Sequence, residues 1–336
     1  EKFKINNFSI WWVTKLVDRN IMTNNQWYYQ LNSTLNNEKT VIKKNFYLYI
    51  FFFLKLFKKL FIIILYTTLI KIIYRKKNTN IQSKKLFCFY SHYINIVPFK
   101  KTYIDRQYGL ATTKNKEKSC YLIKFENDFD TIFDCLKRKR ELSKISIDYF
   151  ILNKYVSLKD IFQVYFKTFF LLIKLLFTLR KKNFFLIKNK NFNLILRPLL
   201  IDSFFGSIQD SLIQAIAIKN FFDRENYKNL ITYGEFFSGW RSAYYFIKKN
   251  SFSPKIVSVN HGIYSGNNLS YALRKDEFSK DDNDLFYSPK PDIFLTQGFK
   301  YFRALKKILP YKKVYPIGSF KYEIADYSFN KSFFKK

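Results

Sequence analysis

Apolar and polar positions divide the chain into long apolar segments and a later region in which short strands alternate with helices. The segment 45–77 is the most apolar, and 156–182 is a second long aromatic and aliphatic run, so both predict helices. Between them, 86–97 and 119–125 predict strands, and 130–142 predicts an amphipathic helix. The first half of the chain therefore mixes long helices with a few strands.

Beyond residue 198 the pattern becomes regular. Helices are predicted at 207–224, 238–250 and 299–310, and strands at 228–234, 254–262, 290–298 and 313–319. Three of these strands end at a glycine. Strands that alternate with helices form parallel sheets covered on both faces. The pattern thus predicts an α/β fold: a Rossmann-like parallel sheet with helices on both faces, plus the long aromatic-rich helices.

The formal net charge of +34 invites a nucleic-acid interpretation. The lysines, however, are spread along the chain and are not gathered on one element. Abundant Lys, Asn, Ile, Phe and Tyr beside only 8 glycines is also the usage that an AT-rich genome imposes. A nucleic-acid partner is therefore not expected. A basic face on anionic lipid, or one that attracts phosphorylated substrates, accounts for the charge at least as well.

The apolar segment 45–77 is interrupted by lysines at positions 55, 58, 59 and 71. A membrane-spanning helix needs about 20 predominantly apolar residues, and the uncharged pieces here are shorter. Lys55, Lys58 and Lys59 lie close together on a helical wheel. This favours a helix in the membrane interface with its lysines towards the headgroups. A buried helix of the globular fold stays equally open, and a transmembrane helix is a weaker alternative.

Cysteine and histidine usage gives little sign of a metal or disulfide framework. Cys88, Cys120 and Cys135 form no CxxC pair, and His92 and His261 are far apart in sequence. We therefore expect buried or half-buried thiols in a reducing compartment, no metal site and no cofactor.

Polar residues follow three of the predicted strands, where ligands bind in open parallel sheets. They are Glu235, the step Asn260–His261–Gly262, and Gln297 with Gly298. Glycine at such an end lets the backbone approach a ligand. His261 is therefore placed for chemistry, although a histidine packed in the core is the alternative. His92, inside or just after an earlier strand, is interpreted as a packing residue.

These segments, in this order, resemble bacterial surface-carbohydrate biosynthesis glycosyltransferases of the GT-B fold. The matching positions are Glu235, Trp240 and Arg241, and the segments 257–266, 289–298 and 316–323. The tryptophan-rich opening at 8–20 is similar to the start of such proteins. Asn260 stands where the family commonly has Gln or His, and 45–85 matches nothing in the family.

The resemblance implies metal-independent transfer of a sugar from a nucleotide-sugar donor to a surface polysaccharide or lipid-linked acceptor. It also implies a cytoplasmic protein, peripheral to the inner face of the cytoplasmic membrane. His261 or Glu235 would be the base that takes the acceptor proton, since a histidine with an ordinary pKa of about 6.5 can do so at neutral pH. Arg241 would hold an anionic acceptor, unless it is a solvated surface charge. The implied substrate contacts are Asn260, Gly262, Tyr264, Ser265, Arg241, Gly298 and Ser319.

The resemblance also implies a division of the chain. Residues 1–84 would form an N-terminal helical region with a possible membrane contact, and 85–323 a Rossmann-like acceptor-side domain of GT-B type. Residues 324–336 would begin the connection to a donor-binding domain that this sequence lacks. Either the sequence is a fragment of the whole transferase, or the protein lacks the donor half. In the second case these residues alone would not catalyse transfer, and the alternative is a non-catalytic binding or scaffold protein of a polysaccharide assembly machinery.

Overall fold

A computed structural model describes most of the chain. The described residues are 3–14, 46–74, 86–125, 131–179, 185–187, 190–233, 238–249, 253–260, 277–278, 287–308, 313–318 and 320. The helices are α1 (Phe46–Ile73), α2 (Ile132–Leu142), α3 (Leu158–Thr178), α4 (Asn193–Ser203), α5 (Ser207–Glu225), α6 (Ser238–Lys248) and α7 (Phe299–Ile308). The strands are β1 (Lys4–Ile5), β2 (Phe8–Ser9), β3 (Phe87–His92), β4 (Ile96–Phe99), β5 (Thr102–Asp105), β6 (Ser119–Lys124), β7 (Asp148–Ile151), β8 (Leu186–Ile187), β9 (Lys190–Asn191), β10 (Asn229–Thr232), β11 (Lys255–Val259), β12 (Ile293–Gln297) and β13 (Val314–Ile317).

Seven strands form one parallel sheet in the order β13-β12-β11-β10-β3-β6-β7. Within this sheet, β3 comes first in the chain, followed by β6 and β7 on one side of it. The chain then returns to the other side of β3 and forms β10 to β13. The remaining pairs are short antiparallel hairpins. The predicted α/β class, with a Rossmann-like parallel sheet, is confirmed. Its strand order reverses between β3 and β10.

Side chains alternate between the two faces of the sheet, as the pleat requires. Cys88, Tyr90 and Leu122 lie in one apolar cluster, whereas Phe89 and Tyr121 lie in the other. Helices α3 to α6 contribute to the first cluster and α2 to the second. The sheet is therefore covered on both faces.

The three cysteines are buried, as expected. Cys88 and Cys120 are register partners on β3 and β6. Burial raises the pKa of the Cys88 thiol well above its usual range, so this thiol stays protonated and acts as a small core side chain.

Helix α1 joins both clusters. Leu56 and Ile63 belong to the first, and Tyr66 and Ile70 to the second. The helix also contacts the turn Leu152–Tyr155 that follows β7. The alternative of a buried helix of the globular fold is therefore correct for one side of α1. Its other side carries exposed apolar side chains.

Two helices begin at capping boxes. At the start of α3, the Asp160 backbone N–H donates to Ser157 Oγ (3.0 Å), and the Ser157 N–H donates to the Asp160 carboxylate (2.9 Å). Thr131 and Asp134 form the same arrangement at α2. Each box satisfies backbone donors that a helix N-terminus leaves without partners.

One predicted strand is wrong in its second half. The segment 86–97 was expected to be a single strand, but β3 ends at His92, and Tyr93–Asn95 form a turn of 3-10 helix. The chain then reverses into the β4–β5 hairpin. The Asn95 side chain contacts Tyr233 and Arg106, so partners distant in sequence hold this turn.

Candidate functional site at the carboxyl edge of the sheet

The strand ends that the sequence singled out meet at one edge. Because all seven strands are parallel, the residues that follow β3, β10, β11 and β12 share the carboxyl edge of the sheet. Of the predicted site residues, Asn260, Gly298 and Arg241 are described. The other predicted site residues lie outside the described part of the chain: His261, Glu235, Gly262, Tyr264, Ser265 and Ser319.

Asn260 and Gly298 lie at the ends of neighbouring strands. Gln297 Nε2 donates a hydrogen bond to the Asn260 carbonyl oxygen (2.9 Å), and the Asn260 N–H donates to the Leu295 carbonyl oxygen (2.8 Å). Gly298 has a φ of +88° and no heavy atom within 4 Å of the position that a Cβ would take. Glycine is therefore favoured here by conformation and not by lack of space.

Arg241 is a buried residue of α6. It is 1% exposed, its Nη1 donates to Ser288 Oγ (2.7 Å), and its guanidinium lies 5.4 Å from the centre of the Trp12 ring. The alternative of a solvated surface charge is therefore wrong. The side chain ties α6 to the segment before β12 and to the N-terminal residues, and contact with an acceptor stays a prediction.

A polar network spans the point where the strand order reverses. Tyr233 Oη accepts hydrogen bonds from the His92 backbone N–H (3.0 Å) and from Asn95 Nδ2 (2.6 Å). Arg106 Nε donates to Asn95 Oδ1 (3.0 Å). The tips of β3 and β10 are thereby joined at the position where doubly wound sheets bind ligands.

His92 lies in this network, where sequence reasoning did not place it. Its imidazole lies beside the rings of Tyr90 and Tyr233, with ring centres 5.3 and 6.2 Å away. It is also the register partner of Lys124, the last residue of β6. These ring contacts agree with the interpretation as a packing residue. That His92 ends a strand at the reversal follows only from the pairing of β3 with β10.

Asp105 is a buried carboxyl beneath the same network. Ser91 Oγ donates a short hydrogen bond to it, and the backbone N–H groups of Gln107 and Tyr108 also donate (2.5 and 3.2 Å). Burial raises the pKa of Asp105 to about 7, against these hydrogen bonds and the nearby charge of Arg106, which lower it. The group therefore titrates near neutral pH.

A cavity of about 480 Å³ adjoins the carboxyl edge beside β6 and β7. Lys124 from the tip of β6 contributes to its lining, together with Asn153, which follows β7. Lys55, Lys58 and Lys59 of α1 also line it. These three lysines lie on a flank of α1 that faces this cavity, and their contact with lipid headgroups stays a prediction.

Helix α5 completes the cavity. Asp210 and Gln214 lie one turn apart on its inner side. Lys59 pairs with Asp210, and Lys124 Nζ donates to Gln214 Oε1 (2.9 Å). Gln214 Oε1 is also 3.8 Å from the position that a Cβ on Gly239 would take, so the cavity is adjacent to the start of α6.

Helices α1 and α3 also present apolar side chains outwards. On α1 the exposed residues are Leu54, Phe57, Phe61, Leu65 and Ile72, and on α3 they are Leu158, Phe162, Phe166, Phe170 and Phe177. Their spacing of mostly three or four residues puts each set on one side of its helix. We call these ten residues the aromatic face.

The two halves of the aromatic face are connected. Phe170 contacts Phe169 (ring centres 5.9 Å apart), and Phe169 contacts Phe53 of α1 (6.1 Å). Within the part of the chain that the structure describes, α3 is the helix that is long and apolar enough to cross a membrane by length and composition, and a third of its most apolar window is buried in the protein.

The described residues contain no cluster of three or more histidine, cysteine or acidic side chains that could hold a metal ion.

No protein-family model, curated protein or solved structure matches the chain. The fold and the edge geometry alone define its class: a doubly wound parallel α/β protein with polar residues collected at the carboxyl ends of its strands. The relation to glycosyltransferases stays a resemblance of short motifs.

Proposed function

We propose that the chain is a glycosyltransferase-like protein that transfers a sugar from a nucleotide-sugar donor to a surface polysaccharide or lipid-linked acceptor. The observation that carries the proposal is the position of Asn260 and Gly298 at adjacent strand ends of a doubly wound sheet. Both belong to the motifs on which the resemblance rests. In such sheets this edge is where substrates bind.

The chemistry follows from the residues next to these ends. His261 directly follows Asn260, and Glu235 lies three residues after the end of β10. One of the two would accept the proton of the acceptor hydroxyl, and the other would contact the departing phosphate or the sugar. No metal ion takes part in this proposal. Arg241 would act by holding α6 in position and, through it, the segment that contains Glu235.

The aromatic face supports a location at a membrane. Exposed phenylalanines on two connected helices, on a chain of net charge +34, are suited to the boundary between headgroups and acyl chains of an anionic leaflet. A protein held at the cytoplasmic face of a membrane would meet a lipid-linked acceptor there.

The test is an activity measurement on the protein from its complete reading frame. We expect release of nucleoside diphosphate from one member of a nucleotide-sugar panel, in the presence of membranes that carry the acceptor. His261→Ala and Glu235→Gln should each lower kcat at least about a hundredfold, the usual size of a general-base effect. Lys228→Gln, at the opposite edge of the sheet, is the matched control.

Two results would overturn the proposal. The first is unchanged turnover in both site variants. The second is binding of glycan acceptor by a folded protein that turns over no donor, which would favour the non-catalytic scaffold. Circular dichroism of each variant shows whether a loss of activity follows from unfolding.

A further inference from the structure

The cavity beside β6 has three walls, two of which are helix faces. Helix α1 lines it at positions 55, 58, 59, 62, 63 and 67, and α5 at 210, 213, 214 and 217. Both sets follow the spacing of three or four residues that defines one side of a helix. The third wall is formed by the residues that end β6 and follow β7. Two of the three walls are thus helix faces.

The charge of the lining is unbalanced. Among the described lining residues, four carry ammonium groups (Lys55, Lys58, Lys59 and Lys124) and one carries a carboxylate (Asp210), so these residues together have an excess of three positive charges. Lys59 is the lysine that pairs with that carboxylate. Charges of one sign around a low-dielectric cleft reinforce one another and attract an ion of the opposite sign.

The other lining residues are largely apolar. They include Ile62, Ile63, Leu152, Val156 and Ile213. The volume of about 480 Å³ lies within the range of small-molecule sites, which typically combine an apolar lining with a few placed charges. A bare inorganic ion would leave most of this space unused.

We propose that this cavity binds a phosphate or pyrophosphate group that is carried on a ligand with an apolar portion. Lysine is a common partner of phosphate because its ammonium acts as a compact point charge with three donors. Lys55, Lys58 and Lys124 hold the phosphate, and the isoleucines and Val156 contact the apolar portion. The assignment concerns a segment, 45–85, that lies outside the glycosyltransferase resemblance, and it does not depend on glycosyl transfer.

The ligand can come from solution or from a lipid. A soluble phosphorylated metabolite and a lipid with a phosphate headgroup offer the same chemistry to the lysines. The aromatic face shares α1 with the cavity, so a lipid headgroup would have a short path to it. The experiment below separates the two sources.

The test compares two double variants of equal net charge. In Lys55→Gln/Lys58→Gln the cavity loses two ammonium groups, whereas Lys228→Gln/Lys255→Gln removes two exposed lysines at the amino edge of the sheet. Calorimetric titration with inorganic pyrophosphate should give a Kd at least tenfold weaker for the cavity variant than for wild type. The control variant should stay within about twofold of wild type, because its lysines are remote.

A third variant separates binding from folding. Gln214→Glu puts a carboxylate beside Lys124 Nζ with little change of shape. It should leave the Tm of the unliganded protein unchanged or raise it, since it adds an opposite charge to the cavity. Pyrophosphate binding should nevertheless weaken by at least tenfold. A variant that merely damaged the fold would lower the Tm.

Vesicles identify the source. Phosphatidylcholine vesicles with phosphatidic acid are compared with vesicles of equal charge that contain phosphatidylserine. If the cavity variant loses the preference for phosphatidic acid and the control keeps it, the ligand is a lipid phosphate. If only pyrophosphate binding is lost, the ligand is soluble. Equal binding by the cavity and control variants in both arms, or no pyrophosphate binding by wild type, would overturn the proposal.

Discussion

The backbone N–H of His92 donates a hydrogen bond to Tyr233 Oη at 3.0 Å and joins the tips of β3 and β10 where the strand order reverses. Asn95 Nδ2 donates to the same oxygen at 2.6 Å. One hydroxyl thus connects the ends of β3 and β10, and both donors would lose this acceptor without it.

Tyr233→Phe should therefore lower the free energy of unfolding by about 1–3 kcal/mol, the usual cost of leaving buried donors without a partner. Denaturant titration measures this change. Tyr315→Phe is the matched control, because Tyr315 is 49% exposed, and its effect should be within about 0.5 kcal/mol. Equal effects of the two substitutions would mean that the Tyr233 hydroxyl does not hold the strand tips.

Asp105 should make stability depend on pH. Its pKa in the folded protein is raised to about 7, whereas an unfolded aspartate has a pKa of about 3.9. Folding favours the protonated form of Asp105. Its stabilising contribution to the free energy of unfolding is therefore fully present below about pH 4 and is lost as the pH rises through 7.

Asp105→Asn keeps the shape and removes the titration. Ionisation of Asp105 should lower the unfolding free energy of the wild type by about 3 kcal/mol between pH 5 and pH 8. The variant lacks this loss, so its stability relative to the wild type should rise by the same amount. Denaturant titrations of both proteins at the two pH values measure it. A difference that does not change with pH would show that Asp105 is ionised in the folded protein throughout.

Gly206 and Gly239 should respond to alanine in opposite directions. Gly206, before α5, has a φ of +144°, and an added Cβ would lie 2.7 Å from Lys59 Nζ. Alanine there should cost about 1–3 kcal/mol because L residues rarely adopt that conformation.

At Gly239, in α6, the nearest atoms to an added Cβ are 3.8 Å away. Alanine should raise stability by roughly 0.4–1 kcal/mol, since it reduces the entropy of the unfolded chain. Thermal unfolding of both variants is the measurement. A stabilising effect at Gly206 would contradict the backbone conformation described for it.

The capping box of α3 gives a local test. Ser157→Ala removes the acceptor for the Asp160 N–H and should destabilise the protein by about 1 kcal/mol. Ser157→Thr keeps the hydroxyl and should cost clearly less. If the two variants lose the same stability in denaturant titration, the serine hydroxyl does not cap the helix.

The aromatic face should govern membrane binding. Phe166→Ser/Phe170→Ser removes two rings that contact each other at 4.5 Å and should reduce flotation with anionic vesicles several-fold. Phe133→Ser/Phe299→Ser removes two exposed rings outside the face (81% and 67% exposed) and should leave flotation unchanged. If both pairs of substitutions abolish flotation, exposed rings outside the aromatic face contribute to membrane binding as much as those within it.

Several features of the fold could be predicted from the sequence because they depend on local patterns. Alternating and helical spacings identified β6, β11, β12 and α5 close to their observed bounds. The predicted strand 86–97 failed after His92, because the turn at Asn95 depends on Tyr233, which is more than a hundred residues away. Helix α4 was not predicted, and Pro198 lies inside it.

The candidate site shows the same division. Gly298 was predicted at a strand end because it closes the short strand pattern of 290–298. The position of His92 at the reversal was not predicted, since it depends on β10 returning to pair with β3. The spacing of Lys55, Lys58 and Lys59 predicted that they share one side of α1. It did not predict the cavity that this side faces.

The sequence by itself therefore determined the α/β class, the parallel sheet and the glycine at the end of β12, because residue spacing and turn chemistry act over a few neighbouring positions. Only the tertiary structure decided the strand order, the contact of His92 with Tyr233, the burial of Arg241 and the collection of four lysines around one cavity. These depend on which remote elements pack together, and that choice is made by the burial of apolar surface from the whole chain at once.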